Sequence, residues 1–260
     1  MSRTYVVTGS ASGIGKATAS ILLDGGHRVI GVDMDNAEVQ VDLASRAGRE
    51  LLYSKVSDAS AGHIDAIVAV AGVAQRSSLA VRVNYFGAIA TLESLRPLLS
   101  ASAAPRAVVV SSFAALMATD TDLLRALAAG EEAAASAIAD SLTTTERAAT
   151  VYASSKRAIA EWVRLESISQ AWAGAGIPLN AVAPGVTYSP MTAPMMEDTK
   201  RWDQLLASVP MPLTGRPAEP DAAARLLVWL AGEENTNVTG QVVFIDSGAD
   251  ALTRGAHVFG

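Results

Sequence analysis

The sequence predicts an α/β fold in which a doubly wound parallel sheet is covered by helices on both faces. Its apolar runs are short and continuous in Val, Ile and Ala, and they lack the alternation of half-exposed strands. Helical stretches separate these runs, as in parallel α/β sheets. The chain has 260 residues, 50% of them hydrophobic, and no Pro/Gly/Ser-rich linker interrupts it. We therefore expect a single domain covering residues 1–260.

The elements follow one another in a regular order. Seven strands are predicted at residues 4–8, 28–32, 39–41, 64–71, 107–111, 179–183 and 241–245. Crossover helices are predicted at residues 15–23, 81–99, 152–173 and 221–231. These elements describe a seven-stranded parallel sheet.

The composition argues against several classes of function. The formal net charge of −6 comes without a basic stripe, so we expect no nucleic-acid partner. Charged residues interrupt every apolar run before membrane-spanning length, so no membrane partner is expected. There is no cysteine and the three histidines are scattered, which predicts no metal site. No secretory segment fits before the first strand, so a cytoplasmic location is expected.

A glycine-rich turn follows the first strand and opens the first helix. It contains Gly9, Ser12, Gly13, Ile14 and Gly15. Glycines let the chain turn sharply, and they let a phosphate approach the backbone N–H groups at the start of a helix. The order of strand, turn and helix therefore predicts pyrophosphate binding by a Rossmann-like, doubly wound fold.

An acidic residue at the end of the second strand indicates which dinucleotide binds. Asp33 ends the second strand, where a carboxylate can accept hydrogen bonds from both hydroxyls of an adenosine ribose. It would repel a 2′-phosphate, so NAD is expected as the cofactor; the alternative is an ordinary surface-turn aspartate. Weaker signals place Asp42 and Leu43 beside the adenine, and Ala71 and Gly72 against the cofactor.

Tyr152 and Lys156 are four residues apart on a predicted helix, so they share one face. A phenol with a pKa near 10 is a poor base at neutral pH, and an adjacent ammonium favours its ionised form. Proton transfer of this kind beside a dinucleotide is what alcohol oxidation needs. The pair therefore predicts a proton-transfer site.

Taken together, the motifs resemble those of the short-chain dehydrogenase/reductase family over essentially the whole chain. They are the glycine-rich turn, Asp33, Asn84, Ser111–Ser112, Tyr152, Lys156 and Pro184–Gly185. The resemblance implies that Tyr152 is the general acid/base and that Ser112 holds the substrate oxygen. It implies that Lys156 lowers the pKa of the phenol and binds the nicotinamide ribose, and that Asn84 holds a water of the proton relay.

Several assignments within this resemblance have alternatives. Ser111 competes with Ser112, and Asn84 could instead be a buried asparagine that satisfies backbone groups. The nicotinamide carboxamide is expected to meet the segment after the sixth strand. That segment contains Pro184, Gly185, Val186, and either Thr187 or Ser189 as the hydroxyl partner.

The chain departs from the family pattern in two places. Val70 stands where an asparagine usually precedes the Ala-Gly pair, so a backbone contact must come from elsewhere. Tyr152 follows Ser112 by 40 residues, whereas ordinary members have about a dozen. The inserted residues, about 119–150, are predicted to form one or two helices, with Glu131 and Glu132 on a solvated face. Such an insertion resembles a bacterial subgroup of 3α-hydroxysteroid dehydrogenase/carbonyl reductases.

The expected substrate is a bulky apolar alicyclic alcohol or ketone. Residues 186–215 are expected to form a substrate loop, which contains Tyr188, Met191, Met195, Met196, Trp202 and Met211. Methionines adapt to irregular apolar ligands; the alternative is that these residues pack the loop onto the core. A 3-hydroxysteroid is the leading case; smaller cyclic ketones, terpenols or secondary alcohols, and a non-catalytic nucleotide sensor, are the alternatives. We expect a homo-oligomer, with a dimer through residues 221–245 favoured.

Overall fold

Seven parallel strands form one sheet in the order β3-β2-β1-β4-β5-β6-β7, which confirms the predicted fold. The computed structural model describes residues 2–259, apart from the side chains of Met196 and Phe259. The strands are β1 Thr4–Thr8, β2 Arg28–Asp33, β3 Val39–Gln40, β4 Ala66–Ala69, β5 Arg106–Val110, β6 Leu179–Pro184 and β7 Val242–Ile245. The strand order reverses between β1 and β4, and ligands of doubly wound sheets bind beyond the carboxyl ends of strands at such a point.

The helices cover both faces of this sheet. They are α1 Gly13–Asp24, α2 Arg46–Ser60, α3 Ser78–Val81, α4 Ala88–Leu95, α5 Thr121–Ala128, α6 Glu132–Leu142, α7 Ala149–Glu166, α8 Ala193–Met196, α9 Thr199–Ser208, α10 Pro220–Ala231 and α11 Ala249–Arg254. The central strand β1 contributes to both layers of core: Val6 belongs to one hydrophobic cluster, and Tyr5 and Val7 belong to the other. Burial on both faces explains why the strands are continuously apolar.

One crossover helix, α2, is missing from the sequence prediction. It begins after Ser45, whose hydroxyl accepts a hydrogen bond from Gly48 N at 3.0 Å, a normal helix N-cap. Its buried face consists of Gly48, Leu52 and Val56. These residues are spaced four apart, but the helix is otherwise too polar to resemble the apolar helices of the chain.

Two predicted helices differ from their expected form. The predicted helix at 81–99 is divided into α3, a π-helical segment at Arg82–Gly87, α4 and a final 3₁₀ turn. A π-helical segment inside a helix is frequent at functional sites, and this one contains Asn84. The helix that holds Tyr152 ends at Glu166 instead of residue 173. Trp172 therefore lies in the following turn, where its side chain is buried edge-on against Trp162.

The insertion forms two helices, α5 and α6, that share a hydrophobic core with α7. Leu123 and Leu127 of α5 are fully buried in the same cluster as Val151 and Ile159 of α7. Asp120 caps α5 by accepting a hydrogen bond from Leu123 N at 2.9 Å. The insertion is therefore packed directly onto the helix that carries the proposed catalytic pair.

The segment predicted as a substrate loop is partly helical, because it contains α8 and α9. Val186 and Met211 pack with Phe113 in a third hydrophobic cluster, and Trp202 lies partly buried against them. Met191, by contrast, is 38% exposed. Some apolar side chains of this segment thus pack against Phe113, which follows Ser112, and others face solvent.

Two kinds of feature are absent from residues 2–259. No helix described there is both long and apolar enough to cross a membrane. Nor do the described side chains include a group of three or more histidines or carboxylates arranged to hold a metal ion.

Leu123→Ala tests whether the insertion is part of the same cooperative core, as the expected single domain requires. Leu123 is fully buried, so we expect a loss of about 2–5 kcal/mol in the free energy of unfolding, measured by urea titration. Leu165→Ala is the control, because Leu165 is 72% exposed on α7. A separate unfolding transition for the insertion, with the main transition unchanged, would contradict this expectation.

Candidate active site

The glycine-rich turn fits closely against the end of β4. Gly9 has φ of +69°, and a Cβ atom placed on it would lie 3.0 Å from the Cα and N atoms of Ala71. A Cβ atom on Gly15 would lie 2.1 Å from the carbonyl oxygen of Gly9. Real Cβ atoms do not approach backbone to 2.1 Å, and the positive φ of Gly9 beside Ala71 strains any other residue, so both positions favour glycine. Ser12 is the N-cap of α1, and Ile14 packs partly buried against the second hydrophobic cluster.

Thr8 supplies a backbone contact at the position where the family asparagine is replaced by Val70. Its hydroxyl accepts hydrogen bonds from Val70 N at 3.0 Å and Ala71 N at 3.1 Å. The sequence analysis did not identify Thr8, because a threonine at the end of a buried strand is ordinary in composition. Its role depends on a neighbour that is distant in sequence.

Asp33 is anchored to the same turn. Its carboxylate accepts hydrogen bonds from Ala11 N at 3.0 Å and from Met34 N at 2.8 Å. Asp33 therefore lies at the carboxyl edge beside the glycine-rich turn, as its place in the sequence predicted.

Asp42 and Leu43 form a fixed turn between β3 and α2. The Asp42 carboxylate accepts a hydrogen bond from Ala44 N at 2.8 Å. Leu43 is buried, and a Cβ atom on Gly87 of the π-helical segment would lie 3.1 Å from the Leu43 Cβ. The turn is thus packed against the segment that contains Asn84.

Lys156, Asn84 and Gly72 meet at the centre of the site. A Cβ atom on Gly72 would lie 3.1 Å from Asn84 Oδ1 and 3.4 Å from Lys156 Nζ. Lys156 is 3% exposed, and its ammonium donates a hydrogen bond to Val110 O at 3.0 Å. Burial lowers the pKa of Lys156 to about 8.

The Asn84 side chain is held by backbone, as its alternative interpretation anticipated. Its Oδ1 accepts from Val73 N at 2.8 Å, and its Nδ2 donates to Val73 O at 3.0 Å and to Ser155 Oγ at 3.2 Å. Ser155 Oγ in turn donates to Tyr152 O at 2.8 Å. Asn84 is therefore connected through Ser155 to the turn of α7 that carries Tyr152.

The two candidate serines have separate surroundings. The Ser111 hydroxyl is buried and donates to Lys156 O at 2.7 Å, so it braces α7. The Ser112 side chain lies close enough to the Tyr152 phenol to lower its pKa in part, and its hydroxyl accepts a hydrogen bond from Ala114 N at 3.1 Å. This arrangement favours Ser112 over Ser111 as the serine that is available to a ligand.

The pKa of Tyr152 differs in direction from the sequence expectation. Tyr152 keeps some exposure, yet its phenol lies deep enough that burial raises its pKa, while the Ser112 contact lowers it in part. The Lys156 ammonium is directed to Val110 O. In this structure burial therefore outweighs the expected effect of the neighbouring ammonium.

The segment after β6, residues 186–215, lies opposite the glycine-rich turn, and we call it the strap. Gly185 N donates to Ile245 O at 3.1 Å, directly after Pro184. A Cβ atom on Gly13 would lie 3.4 Å from the Ser189 Cβ, and a cavity of about 580 Å³ borders both residues. The strap and the turn thus line the same open space.

Thr192, which the sequence analysis missed, holds the strap in shape. Its hydroxyl donates to Thr187 O at 2.7 Å and accepts from Ser189 N at 3.1 Å. Ser189 Oγ lies 3.3 Å from the Thr192 hydroxyl, whereas Thr187 Oγ1 makes only a long contact of 3.5 Å with Gly185 O. The Thr187 hydroxyl is therefore the less engaged of the two candidates.

The insertion reaches α7 through Asp120. Its backbone N donates to Ser154 Oγ at 2.9 Å, two residues beyond Tyr152. The buried Asp120 carboxylate also forms an ion pair with Arg147, which lies just before α7. Asp120 thus joins the two ends of the insertion beside the helix that carries Tyr152 and Lys156.

Known proteins are similar to this chain in sequence. Residues 9–250 match the family described as enoyl-(acyl carrier protein) reductase. The chain is 36% identical over 254 residues to a 3-alpha-hydroxysteroid dehydrogenase/carbonyl reductase of Comamonas testosteroni, covering 96% of this chain and 97% of that one. It is 29% identical to a cis-4-hydroxycyclohexanecarboxylate dehydrogenase of Sinomonas cyclohexanicum, covering 96% of this chain and 97% of that one.

A solved structure is similar over nearly the same length. The 3-alpha-hydroxysteroid dehydrogenase of Pseudomonas sp. B-0831, in complex with NADH, is 37% identical and superimposes with a TM-score of 0.89. The match covers 97% of this chain and 99% of that chain. The comparisons of sequence and of fold lead to the same family, and the chain belongs to the short-chain dehydrogenase/reductase family of oxidoreductases.

Proposed function

We propose that this protein is an NAD(H)-dependent oxidoreductase that interconverts a secondary alcohol and a ketone. The observation that carries the proposal is the buried Lys156 ammonium. An ammonium has three donors, and the hydrogen bonds of the described residues give Lys156 Nζ one acceptor, Val110 O. A buried ammonium with donors left over is costly without further acceptors, and the hydroxyls of a ribose would supply them.

The residues around Lys156 fit a dinucleotide. Gly72 keeps the space beside Lys156 Nζ free of a side chain, and Gly9 keeps the turn free of one. The pyrophosphate would meet the turn that contains Ser12, Gly13 and Ile14, at the start of α1. Asp33 would accept the adenosine ribose hydroxyls, and Ala71 would line the same edge.

The remaining cofactor contacts lie at either end. Asp42 and Leu43 would border the adenine. The carboxamide would meet Val186 and the Thr187 hydroxyl after Pro184–Gly185, with Ser189 as the alternative hydroxyl. NAD, when bound, accepts or returns a hydride at nicotinamide C4.

The side chains of α7 would perform the proton transfer. In oxidation, the Tyr152 phenolate takes the proton from the alcohol oxygen, while Ser112 donates a hydrogen bond to that oxygen. In reduction, the Tyr152 phenol gives a proton to the carbonyl oxygen. The positive charge of Lys156 would stabilise the phenolate, and Lys156 would also hold the nicotinamide ribose of the bound cofactor. Asn84 holds the backbone beside Lys156, where a relay water would lie.

The apolar strap and the relatives support the proposed substrate class. Phe113 directly follows Ser112 and packs with Val186 and Met211, so an apolar cluster adjoins the serine that would hold the reacting oxygen. Two relatives are named for alicyclic substrates, a 3-alpha-hydroxysteroid and a hydroxycyclohexane acid. A bulky alicyclic alcohol or ketone such as a 3α-hydroxysteroid is the leading substrate, and smaller cyclic ketones, terpenols or secondary alcohols are the alternative.

A homodimer in the cytoplasm is part of the same proposal. The α7 face next to the insertion is covered by α5 and α6. Strand β7 ends the sheet with partly exposed residues, and Trp229 of the neighbouring α10 is 41% exposed. An open sheet edge beside an exposed tryptophan favours residues 221–245 as the contact.

Tyr152→Phe tests the proposed chemistry. Removing the hydroxyl takes away the transferable proton, so kcat for alcohol oxidation should fall by about 10²- to 10⁴-fold while the Kd for NADH changes little. Because burial raises the pKa of Tyr152, wild-type kcat/KM for oxidation should increase from neutral to alkaline pH as the phenol ionises. The residual activity of the variant should not follow that increase. Near-normal turnover by Tyr152→Phe would remove Tyr152 from the mechanism.

Asp33→Ala tests the cofactor preference. The wild type should prefer NAD, and the variant should lose at least about tenfold of that preference, the equivalent of about 1.4 kcal/mol. The measurement is the ratio of kcat/KM for NAD and NADP. Asp35→Ala is the matched control, because Asp35 is exposed two residues further along. A wild type that prefers NADP would show that the role assigned to Asp33 is wrong.

A series of alcohols tests the substrate class. We expect kcat/KM to increase with apolar area, from acyclic secondary alcohols through cyclohexanols and terpenols to 3α-hydroxysteroids, because a larger ligand buries more surface against the strap. Short, charged hydroxy acids are the comparison set. Best activity on those acids, with no turnover of alicyclic alcohols, would exclude the proposed class.

A further inference from the structure

The turn proposed to border the adenine is fastened to the insertion through Arg49 of α2. Arg49 Nη1 donates to Leu43 O at 3.1 Å and to Ala44 O at 3.3 Å. Its Nη2 donates to the Glu132 carboxylate at the start of α6, at 2.5 Å. One guanidinium thus connects the turn between β3 and α2 to a helix that is 83 residues further along the chain.

The position of this ion pair distinguishes it from the other pairs of α2. The Arg49 side chain is 10% exposed and that of Glu132 is 32% exposed, whereas Arg46 and Glu50 on the same helix are 87% and 64% exposed. Exposed pairs contribute little, but a mostly buried guanidinium needs its partners in place. A planar guanidinium can bridge two carbonyls and a carboxylate, which a lysine ammonium does less well.

The turn itself has little room to move on its inner side. A Cβ atom on Gly48 would lie 2.1 Å from Asp42 O, and one on Gly87 would lie 3.1 Å from Leu43 O. The glycines therefore let α2 and the π-helical segment pack directly on the turn. Arg49 fixes the outer side of the turn, because it donates hydrogen bonds to the carbonyls of Leu43 and Ala44 and forms an ion pair with Glu132.

We propose that Arg49 and Glu132 are positioning residues for the adenine end of the cofactor site, so that the insertion contributes to dinucleotide affinity. The inference rests on the proposed function, because it takes Asp42 and Leu43 as the adenine border. Neither Arg49 nor Glu132 is required to touch the cofactor. Their effect is to keep the turn in the conformation that receives the adenine.

The test uses ADP-ribose, which carries the adenosine and pyrophosphate but no nicotinamide. Isothermal titration calorimetry would measure its Kd for the full-length wild type and for the variants Arg49→Met, Arg49→Lys and Glu132→Gln. Loss of the charged hydrogen bonds should raise the Kd by about tenfold in Arg49→Met and by less in Glu132→Gln. Arg49→Lys should recover only part of the affinity.

A second readout separates positioning from loss of folding. With a saturating concentration of NAD, kcat should stay within about twofold of the wild type, because the catalytic pair is unchanged. Arg46→Gln and Glu131→Gln are the matched controls. Arg46→Gln removes a positive charge from the helix of Arg49, and Glu131→Gln removes a negative charge from the residue before Glu132. Each should leave the Kd for ADP-ribose unchanged.

Three results would overturn the proposal. One is an unchanged ADP-ribose Kd in a folded Arg49→Met protein. Another is a fall in kcat and melting temperature that accounts for the whole loss, which would make Arg49 a structural residue only. A wild type that does not bind ADP-ribose would contradict the proposed cofactor itself, and is recognised because every variant would then also fail to bind.

Discussion

The site depends on a buried ammonium whose three donors find one acceptor among the described residues. Lys156 is 3% exposed, donates to one carbonyl, and has its pKa lowered to about 8 by burial. Burial disfavours the charged form of this group, so a ligand that offers hydroxyl acceptors would stabilise the ammonium. Burial also raises the pKa of the Tyr152 phenol. We infer that cofactor binding and activation of the phenol are coupled through Lys156.

The fold serves this arrangement by keeping side chains out of a narrow region. A Cβ atom on Gly15 would overlap backbone, Gly9 has a positive φ beside Ala71, and a Cβ atom on Gly72 would crowd the Asn84 and Lys156 side chains. Thr8 and Asn84 then tie the neighbouring backbone segments together. A rigid, preorganised edge of this kind lowers the cost of placing a substrate next to a cofactor. The insertion extends the same scaffold, since Asp120 contacts α7 and Glu132 contacts α2.

The sequence predicted the strands and the main motifs because those features are local. A continuous apolar run, a glycine-rich turn and two residues spaced four apart on a helix can each be recognised without knowing their neighbours. The polar helix α2, the helices of the strap and the early end of α7 were missed or misplaced, because packing and turn chemistry decide them. Thr192 and Arg49 act through partners that only the fold brings near. Glu132 was interpreted as a solvated residue for the same reason, and the direction of the Tyr152 pKa depends on burial depth.

The transfer of a labelled hydride tests the central claim most directly. A secondary alicyclic alcohol with deuterium on its carbinol carbon would be oxidised by the enzyme in a single turnover with NAD, and the reduced cofactor would be analysed by mass spectrometry. The account predicts that the deuterium is found in the reduced cofactor, and that the transfer step is slower than with unlabelled alcohol. Failure to form any reduced cofactor across acyclic, monocyclic and steroid alcohols, or loss of the label to solvent, would contradict it.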